Sequence, residues 1–130
     1  MAVGAETKHA LEAFVSAFNS GDAVAMAALF AASGDVLGIG TDPKEWWLGR
    51  DTLMPVLEAQ LRELGGAQFH VEETAGSDRW LACKCSIGLP GGPVLPARLT
   101  VAYSEDHLIE HFHLSIGVAN EEAVGQTLTV

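Results

Sequence analysis

Leu11, Phe14, Val15 and Phe18 recur at i, i+3, i+4 and i+7, so they form one apolar stripe on a helix near the N-terminus. Asn19-Ser20-Gly21 ends that helix, with Gly21 suited to a left-handed cap, and Asp22 can cap the next one by accepting a backbone N–H bond. Val24, Ala27 and Ala28, with Leu29 or Phe30, give this second helix a small-residue face that permits close packing. Ser33-Gly34-Asp35 then turns the chain into a short buried strand, Val36–Ile39. Residues 40–49 form a loop with Asp42-Pro43 as its turn signal. A third helix starts at Asp51 or Thr52, carries Leu53, Leu57, Leu61 and Leu64 as its stripe, and ends at Gly65-Gly66. Pro55 is tolerable there only in or next to the first turn.

After Gly66 the period changes from helical to alternating. Candidate strands are Ala67–Ala75, Trp80–Leu89, Leu95–Ser104 and Leu108–Gly117. Gly76-Ser77-Asp78-Arg79, Pro90-Gly91-Gly92-Pro93 and Glu105-Asp106-His107 separate them with strong turn chemistry. The alternation is clearest where Leu95, Ala97, Leu99, Val101 and Tyr103 oppose Pro96, Arg98, Thr100 and Ala102. Asn120 can cap a last short turn in the tail 120–130, which otherwise packs on a dimer or frays. Helices first and a meander after is an α+β pattern, and 130 residues without a linker or repeat read as a single domain over 1–130.

Composition narrows the partners. A formal net charge of -10, with 7 basic residues against 17 acidic and no Lys/Arg cluster, disfavours nucleic acid and anionic membrane surfaces. The bland reading of the acidity is solubility. No segment approaches the length that spans a bilayer. The N-terminus places acid and base before any apolar run, so no secretion signal is read there. Cys83 and Cys85 share a strand face, a poor geometry for a mutual disulfide, and reduced thiols in a cytoplasmic protein are the simpler expectation.

The segments AFNSGD, AALF, IGTDPKEWWLGRD and HFHLSIG, in the order helix, helix, strand, helix, meander, resemble the bacterial SnoaL-like members of the NTF2-like superfamily over nearly the whole chain. That superfamily also holds nuclear transport factor 2, ketosteroid isomerase and scytalone dehydratase. The resemblance implies a cone, with three N-terminal helices packed in a curved, mainly antiparallel sheet. It further implies a deep pocket for a small apolar or aromatic molecule, a homodimer formed by paired sheets, and no cofactor. Matching the isomerases places Phe14 where their tyrosine would be, Gly38 at the base and Leu99 near the second aspartate. None of these three groups is present, so steroid isomerisation by that route is rejected.

His111 and His113 are the sharpest candidates for chemistry. Alternation puts them on one face with Ile109 and Ser115, and if that face lines the pocket they could serve as general acid and base or ligate a metal. The competing reading is a face packed under helices or across a dimer, where an imidazole simply finds a hydrogen-bond partner. Joining them to Cys83 and Cys85 as a zinc site does not fit a standard spacing, and small buried hydrophobes account better for the two Cys. No metal is expected.

Trp46 and Trp47 cannot both be buried by one regular face, so one of them lines or covers an opening, or both plug the cone's end. Phe14 and Phe18 would line the pocket. Arg98 and Tyr103 lie on opposite strand faces, so only one looks inward; an inward Arg98 would suit an anionic ligand, although a sheet-face salt bridge is favoured for it. Arg50 would pair with a carboxylate near the helix start.

Three functions compete. The favoured one is a small-molecule-binding domain with an apolar pocket. The second is a cofactor-independent lyase, isomerase or cyclase using His113 or His111 as its acid–base group. The third is a structural dimerisation module with a plugged pocket.

Overall fold

The computed structural model describes residues 3–32 and 34–117. Helix α1 spans Ala5–Ser20, and Gly21 ends it at φ 66°, donating to the carbonyls of Ala17 and Phe18 as a left-handed cap does. Asp22 accepts from the Ala25 N–H at 3.0 Å and opens α2, Ala23–Ala27. This second helix is shorter than its small-residue pattern suggests. Leu29 and Phe30 fall beyond it, Val24 is exposed, and Met26 is the side chain it delivers to the core, with Phe30 buried just after it.

Strand β1, Leu37–Ile39, is followed by a tight Asp42–Glu45 turn and by a second strand, β2, Trp46–Leu48. The expected loop over 40–49 is therefore largely a hairpin. Its alternation is only three residues long, too short to stand out from a turn-rich stretch. Helix α3, Arg50–Glu63, buries Leu53, Leu57 and Leu61. Pro55 is its sixth residue, a turn further in than expected, on the exposed side. The Arg50 guanidinium donates to the Phe30 carbonyl at 2.9 Å, tying α3 to the segment that follows α2.

Strands β3 (Gln68–Gly76), β4 (Trp80–Gly88), β5 (Val94–Tyr103) and β6 (Ile109–Ile116) follow the meander read from the sequence. One six-stranded sheet results, ordered β2-β1-β6-β5-β4-β3 and antiparallel except where β1 lies parallel to β6. This is the expected α+β architecture, helices against the inner face of a curved sheet. The inner face carries Phe69, Leu81, Cys83, Cys85, Ile87, Leu99, Val101, Tyr103 and Phe112, all buried. Gly38 belongs to that face as well. A Cβ placed on it would lie 2.4 Å from Leu53 Cδ1, so the absence of a side chain lets α3 approach β1. The tail 120–130 and Ser33 of the expected turn lie outside the described residues.

Candidate functional site

The interior of the cone is filled by aromatic rings. Phe14 on α1 packs edge-on against Phe69 with centroids 5.4 Å apart and lies 5.6 Å from Phe112, while Phe18 sits 5.5 Å from Phe69 and Phe30 5.7 Å from Phe112. What remains between α1, α3 and β6, bordered by Phe14, Phe18, Met26, Leu57 and Phe112, is a void of about 20 Å³. One water molecule needs roughly 10–15 Å³ of such space. Phe14 and Phe18 thus act as core at this point, and the void has no room for a substrate.

His111 and His113 do not face this interior. Ile109 is buried, yet β6 slips in register against β5 between the Tyr103 and Ala102 pairs, leaving Glu110 as an extra residue. Such a bulge inverts the alternation beyond it. The two histidines therefore emerge on the outer face, opposite Ala102 and Thr100, and Phe112 turns inward between them. This corrects the expected face shared by Ile109, His111 and His113.

Trp46 also lies on the outer face, 60% exposed, opposite Ile39, whereas Trp47 pairs with Gly38 and packs on the core. Arg98 points outward beside Lys84, and Tyr103 points inward and is buried. The structure separates the expected site residues into two groups. Phe14, Phe18, Trp47 and Tyr103 are on the inner side, and Trp46, Arg98, His111 and His113 are on the outer side. Cys83 and Cys85 face inward, away from the histidine pair. Among the described residues, no group of three or more His, Cys, Asp or Glu side chains could hold a metal ion.

Two ionisable groups on the inner face, Tyr103 and Cys85, are held in their neutral forms, while the hydrogen bond with Cys85 draws the Cys83 thiol down. Burial, with Cys83 nearby, pushes the Tyr103 hydroxyl up to about 12. The Cys85 thiol is pushed up by its hydrogen bond to Cys83 and then by burial.

A larger opening lies at the side of the cone, between α1 and the inner faces of β3 and β4. Its volume is about 570 Å³, within the roughly 300–1,000 Å³ typical of small-molecule sites. Leu11, Phe69 and Leu81 form its buried floor, and Val3, Val15 and Val71 its walls. Lys8, Glu12, Ser16 and Thr74 supply polar groups around it, and His70, paired with Ser86, turns its side chain to the outer face.

Two sets of bonds hold this cleft open. At one end the Asn19 side-chain oxygen accepts from the Phe69 N–H at 2.7 Å. At the other, fully buried Thr7 donates to the Asp78 carbonyl at 2.8 Å, and the Gly4 N–H donates to the Ser77 carbonyl. Between these anchors β3 bulges, with a register shift between Val71 and Glu73. The helix and the strand are thus fixed at their ends and separated between them.

None of the cleft's polar residues was singled out from the sequence. The available signals were weak: Lys8 and Glu12 are i and i+4 on α1, and the Glu72-Glu73 doublet interrupts the alternation of Phe69 and Val71. A lone doublet does not identify a bulge.

The chain's likenesses agree with this architecture. A family model described as a SnoaL-like domain matches residues 7–119. Among solved structures, a SnoaL-like protein of unknown function from Burkholderia thailandensis superposes with a TM-score of 0.73 at 13% identity, covering 89% of this chain and 98% of that one. A candidate ketosteroid isomerase from Kribbella flavida gives 0.71 at 18% identity, over 88% and 80% of the two chains. An NTF2-like protein of unknown function from Cytophaga hutchinsonii gives 0.65 at 13%, over 97% and 98%. At these identities the likeness concerns the fold. No curated protein matches the chain.

Proposed function

The chain belongs to the SnoaL-like family, and from that premise we propose that it is a small-molecule-binding domain whose site is the side cleft between α1 and β3, not the centre of the cone. The observation that carries this reading is the pairing of a 20 Å³ central void with a 570 Å³ apolar-floored cleft. Burial of apolar surface in such a cleft contributes about 25 cal/mol per Å². A compact apolar or aromatic molecule suits the floor of Leu11, Phe69 and Leu81. Lys8 and Thr74 stand where they can orient a polar substituent.

Binding is favoured over isomerase-type proton transfer by the residues at the positions of the ketosteroid isomerases' tyrosine and two aspartates. Phe14, Gly38 and Leu99 occupy them, packed in the core, and a proton-transfer step needs a titrating group within hydrogen-bond reach of the reacting atom.

Native mass spectrometry of protein purified from its source host tests the proposal. The expected result is a retained small organic mass that is lost in Val71→Trp, a substitution at a 42% exposed wall position that fills the cleft and leaves the core intact. A mass retained equally by Val71→Trp would contradict the assignment.

A further inference from the structure

The chain has 7 basic residues against 17 acidic, and the sheet sets two of the 7 side by side. Lys84 on β4 and Arg98 on β5 are Cα partners, both exposed, in an outer-face row that runs Ser115, Arg98, Lys84, Glu73. Like charges placed directly opposite each other destabilise a sheet. Among the described residues neither cation forms an ion pair, so Arg98 lacks the sheet-face salt bridge expected of it. The two are far apart in sequence, and only the β4–β5 pairing brings them together.

Arg98 is surrounded by hydrogen-bond donors. Lys84 and Ser115 flank it across the strands, Thr100 follows it on the same face of β5, and Ser86 and His113 stand at the diagonals. Pro96, the remaining neighbour along β5, adds no donor. Glu73, the carboxylate in the row, lies two strands from Arg98, roughly 10 Å at the usual strand spacing. A shallow depression of about 500 Å³, bordered by Glu73, Ala75, Ala82, Lys84, Arg98 and Thr100, opens beside the two cations.

We propose that this patch binds a phosphoryl group, as free phosphate or as the ester of a small organic molecule, at a site separate from the cleft between α1 and β3. A phosphoryl group near neutral pH carries about −1.5 to −2 charges and three acceptor oxygens. Two adjacent cations match that charge, where a single carboxylate would leave one of them uncompensated. The planar fork of Arg98 can grip two oxygens, and Lys84 adds a point charge. The hydroxyls of Ser86, Thr100 and Ser115 are donors for the third oxygen. Binding also removes the repulsion between the two cations, a gain that a neutral ligand does not offer. Ala75 and Ala82 leave an apolar strip on which the organic part of an ester can lie.

Amide-detected NMR of the full chain at pH 7.5 and fixed ionic strength, titrated with sodium phosphate and with phenyl phosphate, tests this. The expected result is saturable shifts at Lys84, Ser86, Arg98, Thr100 and Ser115. Arg98→Gln and Lys84→Gln, both at exposed positions, should each raise the Kd about tenfold or more. Lys44→Gln, exposed in the turn before β2, should leave it unchanged. Tighter binding of phenyl phosphate marks an ester as the source of the group, and equal binding marks free phosphate. Shifts that never saturate and are matched by sodium chloride, or a Kd unmoved in both glutamine variants, would overturn the site. So would shifts confined to Lys8 and Val15, which line the other cleft.

Discussion

Gly38 sits where a single methyl group meets the side chain of Leu53, fully buried on α3. Adding it forces α3 away from β1 or Leu53 out of its rotamer, and overpacking of this kind costs about 1–3 kcal/mol. Gly38→Ala should lower unfolding stability by that amount in urea titration, and a change within about 0.5 kcal/mol would show that α3 yields freely. Phe14 is the converse case. Touching Phe18, Phe69 and Phe112, it should cost about 3–5 kcal/mol on truncation to Ala. Tyr103 gives a pH dependence with a definite sign. Its hydroxyl is raised from 10 to about 12 in the folded protein, so its contribution is complete below pH 10 and lost as pH climbs toward 12. Tyr103→Phe should flatten that part of the alkaline stability curve, the buried thiol of Cys85 leaving a residual slope; an unchanged profile would contradict the assignment. Helical spacing made Phe14 legible as inward-facing, and alternation set Leu99 and Tyr103 on one face of β5 opposite Arg98 without deciding which face looks inward. It could not place His111 and His113, because the bulge at Glu110 depends on how β6 pairs with β5 and leaves no trace in HFHLS itself.

At the scale of elements, the joint between α1 and β3 governs the cleft. Asn19 lies two residues before the Gly21 cap, and its side chain satisfies the Phe69 N–H where β3 begins. Asn19→Ala leaves that partly buried donor unpaired, at about 1–3 kcal/mol. Asn19→Asp keeps an acceptor and should recover most of the loss, which thermal denaturation of the two variants will separate. The helix stripe, the Gly21 stop and the Asp22 cap were readable because each rests on local geometry within a few residues. The last four strands were readable because each is long enough to alternate and is bounded by turn residues. Strand β2 is three residues long and defined by its partner β1, so Trp46 and Trp47 read as loop. The opposite fates of the two indoles then follow directly from pleating, one outward and one into the core.

For the whole molecule, the same sheet serves two surfaces of different character. Its inner face closes around five phenylalanines and leaves the side cleft as the opening of useful size on that face. Its outer face is mixed, with exposed Trp46, Leu48 and Trp80 beside His111, His113, Arg98 and Lys84. The family's fold was recognisable from segment order, whereas the filling of the cone depends on how four distant elements bring their rings together. No helix among the described residues is long and apolar enough to cross a membrane. Binding in the side cleft is tested by amide-detected NMR during titration with 1-anilinonaphthalene-8-sulfonate, an aromatic probe with one anionic group. Shifts are expected to concentrate at Lys8, Val15, His70, Val71 and Thr74 and to be absent in Val71→Trp. Shifts centred on Trp80, Thr100 and His111, or on Met26 and Leu57 at the closed centre, would contradict it.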